Sequence, residues 1–242
     1  MEIKVNALVT RAIEYKENDK ILTLYSYEKG KITAGIKGVK KSGAKLKFAS
    51  EPFCFAEFIL ASKGERNTVI NATFIDSFYN LRTNLLKYYC SSVIAETVNL
   101  LVEQETGDEN LFNLIINTVK NLCYGENEKA VLCKYLYLFS KYNGYELQDT
   151  TCYDCGEDIV NRVFFNPNNA TFSCNNCKDL SFMEITAETY NTLKILSKMS
   201  FEEISSMKEI INCDKLLKFL FFYLNVKTDV KLVSSDLVLT DI

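Results

Sequence analysis

The chain carries four cysteines in two close pairs, Cys152/Cys155 and Cys174/Cys177, with eighteen residues between the pairs and no histidine anywhere. A C-x2-C…C-x2-C array at this separation lets four thiolates converge on one tetrahedral ion, most simply zinc. Gly156 follows the first pair, and Asn175-Asn176 lie inside the second. Glycine and asparagine tolerate the positive φ angles that turn amides toward a bound sulfur. The array therefore predicts one structural zinc ion on Cys152, Cys155, Cys174 and Cys177. Binding free energy at such a site is on the order of 10 kcal/mol, enough to fold a small module that lacks its own core.

Other uses of the four thiols fit less well. Disulfides need an oxidising compartment, whereas Met1-Glu2-Ile3-Lys4 does not read as a signal peptide and nine cysteines is an odd count. A redox iron accepts the same four sulfurs, and that alternative stays open. Catalytic zinc normally keeps a position open beside three protein ligands. A base deaminase needs a glutamate beside the first ligand and a proline before the second cysteine pair. Here no H-x-E exists, and Ser173 precedes Cys174. The other cysteines, Cys54, Cys90, Cys123, Cys133 and Cys213, sit among apolar residues and read as core. The longest apolar candidate for a membrane span, Leu216 to Val226, is short and interrupted by Lys218 and Asn225. These features give the expectation of a cytoplasmic protein with reduced thiols.

Hydrophobic periodicity divides the 242 residues into an expected α+β arrangement. Ile3-Val5-Ala7-Val9 and Ile21-Thr23-Tyr25 alternate as strands do, and Glu28-Lys29-Gly30-Lys31 turns into Ile32-Thr33-Ala34. Gly35 and Gly38 should interrupt that third strand as bulges or bends. Two more strands read as Phe53 to Ala61 and Thr68 to Phe78, around Lys63-Gly64-Glu65-Arg66-Asn67. Five short strands in a basic segment suit an OB-fold barrel over residues 1–79. The period then becomes helical from about Asn80 to Gln104, with Asp108 capping a second helix to Cys123 and a third running from Glu128 to Tyr142. Residues 80–144 are thus the first part of a helical domain. A zinc module over 145–183 contains a hairpin, Val163-Phe164-Phe165 and Ala170-Thr171-Phe172, and the helical domain resumes over 184–242. There, Thr186 caps one helix, Ser200 and Glu203 form a capping box for the next, and Asp214 opens a last helix rich in Leu and Phe.

Charge is uneven. Residues 1–79 hold 13 Lys+Arg against 9 Asp+Glu, and residues 80–242 hold 15 against 22, which returns the net −3. Seven lysines between Lys29 and Lys47 occur without an acid. A basic stripe on an acidic chain suits a polyanion partner, although lysines also protect a hairpin edge from aggregation.

The collinear run of these features resembles the bacterial RecO family of recombination mediators. Tyr15-Lys16-Glu17-Asn18-Asp19-Lys20-Ile21-Leu22-Thr23 is similar to that family's Y-x-E-x-D-x-I-L-T stretch. Gly30-Lys31-Ile32, Lys37-Gly38-Val39-Lys40-Lys41, Pro52-Phe53, Leu81-Arg82 and Asn143-Gly144-Tyr145 follow in order, with the four-cysteine module last. The resemblance implies an OB barrel, a helical domain and a zinc module. It also implies binding of single- and double-stranded DNA, annealing of complementary strands in DNA repair, and cooperation with RecR. Contact with the single-strand binding protein SSB through its C-terminal tail, so that RecA can load, and a location at the nucleoid follow from it too.

Phosphate ligands on such a platform would be Lys37, Lys40, Lys41, Lys45 and Lys47, extended by Arg11, Lys16, Lys20, Arg66 and Arg82. Arg82 also suits a structural role at a helix end. Tyr25, Tyr27, Phe48 and Phe53 are candidates for base stacking, but small barrels need large inward side chains, and the core reading is favoured. The last helix, Lys215 to Leu224, reads as core; a groove rimmed by Lys215 and Lys218 would instead suit an acidic, hydrophobic tail. Annealing needs neither nucleophile nor proton transfer, which agrees with the missing histidine and with Lys41-Ser42 lacking a P-loop frame. No enzymatic activity, membrane or small-molecule substrate is expected. A zinc-ribbon adaptor for RNA or protein is the competing reading; a metal-dependent nuclease is weaker, since no cluster of acids stands where two metals could sit.

Overall fold

A computed structural model describes residues 1–64, 66–103, 107–148 and 151–240. Its N-terminal strands are β1 (Glu2–Tyr15), β2 (Asp19–Ser26), β3 (Gly30–Ile36), β4 (Phe55–Lys63) and β5 (Arg66–Asp76). They close in the order β1-β2-β3-β5-β4, antiparallel except where β3 meets β5. This is the expected OB-type barrel. Alternation sends Val5, Ala7 and Val9, Leu22 and Leu24, Ile32 and Ala34, and Phe58 and Leu60 into one buried core. A register shift between Val9 and Arg11 bends the long β1, which pairs with both β2 and β4.

Local differences from the expected strands have backbone causes. Gly35 does not break β3: it pairs with Ile21 on one side and Thr68 on the other. Gly38, at φ +67°, makes the turn out of the strand instead. Phe53 and Phe78 have positive φ, so β4 starts after the first and β5 stops before the second. Glu65, in the expected turn, lies outside the described residues.

Helix α1 (Leu85–Leu101) starts later than expected, because a 3-10 turn over Tyr79–Arg82 intervenes and Asn84 supplies the cap, accepting from the Lys87 amide at 3.0 Å. Gln104, the expected end, lies outside the described residues. Asp108 caps α2 (Glu109–Tyr124), its carboxylate accepting from the Leu111 amide at 3.0 Å. The chain divides into two compact units, Met1–Val119 and Lys120–Ile242, so α1 and the first part of α2 group with the barrel.

Within the first unit these helices cover one outer face of the barrel. Phe112 lies 6.2 Å from Tyr25, 6.1 Å from Tyr27 and 6.0 Å from Phe55, and Phe53 lies 6.0 Å from Tyr88. The Thr10 hydroxyl donates to Asn99 at 2.8 Å. Lys31 donates to the carbonyls of Asn99 (2.9 Å) and Val102 (2.6 Å), which a helix C-terminus leaves without internal partners.

The second unit holds α3 (Glu128–Tyr142), a small sheet of β6 (Val163–Asn166), β7 (Thr171–Ser173) and β8 (Met183–Ile185), then α4 (Ala187–Lys198), α5 (Phe201–Ser206), α6 (Asp214–Thr228) and α7 (Ser234–Leu239). The capping box of Ser200 and Glu203 is formed, and Thr186 caps α4. β8 and α7 carry too few residues to show a period, and neither was expected. The hairpin docks through aromatic rings: Phe165 lies 5.1 Å from Phe172, 4.9 Å from Phe219 and 5.6 Å from Tyr223, and Phe172 lies 5.5 Å from Tyr190. Cys54, Cys90, Cys123, Cys133 and Cys213 are all buried, as core cysteines should be. Among the described residues no helix is long and apolar enough to cross a membrane.

Candidate metal centre and nucleic-acid face

The two cysteine pairs converge. The sulfurs of Cys152, Cys155, Cys174 and Cys177 all lie within 4.8 Å of one another. Four ligands around an ion at the Zn–S distance of about 2.3 Å need sulfurs about 3.8 Å apart, so small shifts would close the shell. The first knuckle turns at Gly156, whose φ is +73° and whose amide donates to the Cys152 carbonyl at 2.8 Å. The second does not use the expected asparagine geometry: neither Asn175 nor Asn176 has a positive φ. It closes through the amides of Cys177 and Lys178 donating to the Cys174 carbonyl at 3.3 and 3.2 Å.

The thiols are electrostatically strained against one another. Burial pushes the Cys152 thiol up, but the amides of Cys155, Cys174 and Asp154 outweigh it and bring the group down to about 6. The Cys174 amide donates to its sulfur at 3.4 Å. Cys177 is pushed up to about 12, first by its hydrogen bond with the Cys174 thiol and then by burial. Cys152 therefore ionises readily while the Cys155 and Cys177 thiols resist, until a cation neutralises the cluster. The donor set fits a metal, which would clamp the two knuckles together. Cys152 is buried, whereas Cys155 is exposed, so the centre sits at the edge of the hairpin.

The barrel presents a second arrangement. The loop after β3 is tied to the β1–β2 turn: the Gly38 amide donates to Asp19 at 2.9 Å, and the Lys40 amide to the Asn18 carbonyl at 3.2 Å. This brings Lys16, Lys37 and Lys41 around one groove of about 360 Å³, together with Glu17, Asn18 and Asp19. Lys37, Lys41, Lys45, Lys47 and Arg11 are exposed and make no ion pair among the described residues.

The other expected ligands are engaged differently. Lys40 pairs with Glu14 at 2.9 Å and holds that carboxyl below its ordinary value. Lys20 bonds the Ser50 carbonyl at 3.2 Å and Glu51 at 3.3 Å. Arg82 donates to the Pro52 carbonyl at 2.7 Å, a link that its neighbourhood in sequence did not reveal. Arg66 is exposed at the start of β5, apart in sequence from the lysine loop. Lys31, a member of the acid-free stripe, is turned onto the end of α1, and desolvation lowers its pKa.

Of the stacking candidates, Tyr25 and Phe53 are buried, Phe48 is half-buried and Tyr27 is exposed beside Phe112. Sequence reading missed Phe74, which is 53% exposed. Its parity, shared with the inward Ala72 and Ala56, reads as core. On α6, Leu216, Leu217, Phe219, Leu220, Tyr223 and Leu224 are buried, as expected of a core helix. A groove of about 270 Å³ does run beside Phe221, Phe222, Leu232 and Leu239, but its charged members are Lys231 and Asp236. Lys215 and Lys218 do not line it; Lys215 is bonded to Glu188.

The class of protein defined here is an OB-type barrel with a lysine-bearing groove, followed by a helical unit with a four-cysteine centre. The family model described as Recombination protein O N terminal matches residues 1–78, and that described as Recombination protein O C terminal matches residues 82–236. DNA repair protein RecO of Caldicellulosiruptor saccharolyticus is 27% identical over 234 residues, 96% of each chain. The RecO of Clostridium novyi is 30% identical over 200 residues, covering 82% of this chain and 78% of its own. That of Clostridium perfringens is 27% identical over 208 residues, covering 84% and 82%. The chain belongs to the RecO family of DNA repair and recombination proteins.

Proposed function

We propose that this protein is a DNA-binding recombination mediator in DNA repair that anneals complementary single strands without enzymatic chemistry. The observation that carries the reading is the tie between the β1–β2 turn and the loop after β3, which gathers Lys16, Lys37 and Lys41 around one groove. α1 and α2 meet the barrel at Thr10, Tyr25, Tyr27, Lys31, Phe53 and Phe55, none of which lines this groove. Lys45 and Lys47 extend it, and Arg11, Lys20, Lys40, Arg66 and Arg82 are the outlying cations. Phosphate neutralisation lowers the repulsion between two strands while leaving base edges free to pair.

The family supports the finer roles: cooperation with RecR, contact with the C-terminal tail of SSB, and loading of RecA onto SSB-coated strands, in the cytoplasm at the nucleoid. Zinc is the ion proposed for the four cysteines, as a closed structural site. Domain limits of 1–79, 80–144, 145–183 and 184–242 are proposed as functional modules rather than packing units. Annealing of fluorescent complementary oligonucleotides, with and without cognate SSB, tests the function. Acceleration that fades as salt rises is expected; none even at low salt would sink it. Metal analysis of purified protein should find one zinc per chain, and iron in its place would overturn the zinc assignment.

A further inference from the structure

The wall of the barrel is incomplete beside β5. β3 pairs with β5 only over Asn67–Val69, whereas β4 accompanies β5 from Arg66 to Asp76. Beyond Val69 the side toward β3 has no strand partner among the described residues. Phe74 lies in this stretch. Its inward parity would bury it in a fully closed barrel, yet it is 53% exposed. The ring that meets it is Phe48, edge-on at 5.8 Å and 70°, from the 3-10 turn Phe48–Ser50.

The same gap is spanned by the lysine loop. The loop leaves β3 at Ile36, which pairs with Val69, and returns at Lys47, the residue before Phe48. Over residues 37–47 it carries five lysines and no acid. An exposed aromatic shelf thus adjoins a cationic loop whose lysines at 37, 41, 45 and 47 make no ion pair among the described residues. An apolar protein partner would gain nothing from that charge. A strand of phosphates bearing unpaired bases would use both elements, since every base has a π-face and every linkage a charge.

From this juxtaposition we infer that Phe74, backed by Phe48, is a stacking shelf for unpaired bases that would favour single-stranded over duplex nucleic acid on the barrel. This deepens the DNA-binding reading and rests on it. In a duplex the base faces are already stacked, so the shelf adds affinity only for single strands, while the lysines serve both. Stacking is insensitive to salt, so it changes the intercept rather than the slope of log affinity against log salt.

The chain contains no tryptophan, so Phe74→Trp makes a unique reporter. Its fluorescence should be quenched by oligo(dT) and little changed by a duplex of equal length. Phe74→Ala should weaken oligo(dT) binding on the order of tenfold, with duplex affinity within about twofold and the salt slope unchanged. Thermal melting of both variants controls for loss of fold. Absence of quenching, while oligo(dT) still binds with its normal salt slope, overturns the shelf and leaves the lysine groove standing. An equal loss for single strand and duplex in Phe74→Ala also overturns it, assigning Phe74 to packing. No binding of any DNA by the unaltered protein would instead remove the reading on which the shelf rests.

Discussion

Cations are handled differently in the second unit and in the loop after β3 of the first. In residues 120–240, Lys129, Lys141, Arg162, Lys194, Lys215 and Lys231 each hold a carboxylate, and Lys134 and Lys227 donate to backbone carbonyls. Lys178 sits over the Phe164 ring at 3.7 Å. On the barrel, the loop after β3 leaves most of its lysines facing water. An internally paired lysine has little left to offer an external phosphate; a solvated one releases counterions on contact. Local net charge alone would not separate the two cases, because it counts a tied lysine and a free one alike. The contrast is what supports the proposal of polyanion binding at the loop after β3.

Removing the metal should have the largest effect, confined to the second unit. Cys152→Ser is expected to release the ion and lower that unit's unfolding free energy by several kcal/mol. The loss should fall short of the full binding energy, on the order of 10 kcal/mol, because Phe165 and Phe172 anchor the hairpin to helices independently of the ion. Metal content and thermal denaturation measure this, and oligonucleotide affinity should stay within about twofold; a large loss of DNA binding would break the division of labour. Next in size, Phe165→Ala removes a fully buried ring and should cost about 3–5 kcal/mol by chemical denaturation, with the four sulfurs still able to take up one ion.

The periodic parts of this architecture could be read directly. Barrel strands showed their alternation, α3 its two ends, and the four cysteines their spacing, since each of these is a local pattern. Registers and gaps are not local. The pairing of Ile36 with Val69, which ends the β3–β5 ladder, decides that Phe74 is exposed, and nothing within Thr73-Phe74-Ile75 announces it. The same holds for Lys31, which looked like part of the basic stripe until α1 placed its C-terminal carbonyls within reach. The metal module, expected to lack a core, borrows one from α4 and α6 through rings distant in sequence.

A moderate effect is expected at the groove. Lys37→Gln with Lys41→Gln removes two prospective phosphate contacts, so the slope of log affinity against log salt for single-stranded DNA should flatten by about 1.4. Lys215→Gln with Lys231→Gln is the matching change in the second unit, where both cations are paired. It should leave the slope unchanged. Equal flattening by the two doubles would mean that pairing does not predict function here, and the comparison between the units would fail.

The smallest effect concerns Lys40, the loop lysine that breaks the pattern by pairing with Glu14 at 2.9 Å. The hydrogen bond from Lys40, reinforced by its charge, holds the Glu14 carboxyl below the ordinary value of 4.5. A carboxyl lowered in the folded state contributes stability above its unfolded value and loses it as pH falls through its folded value. At neutral pH Glu14 is therefore charged and competes with phosphate for Lys40. Glu14→Gln should raise single-strand affinity by a small factor and steepen the salt slope by about 0.7 if Lys40 then meets a phosphate. As pH drops below 4.5 and Glu14 takes up its proton, the unaltered protein should approach the variant's affinity. A gap between the two that persists at the lowest pH at which both stay folded would show that Glu14 acts by something other than its charge.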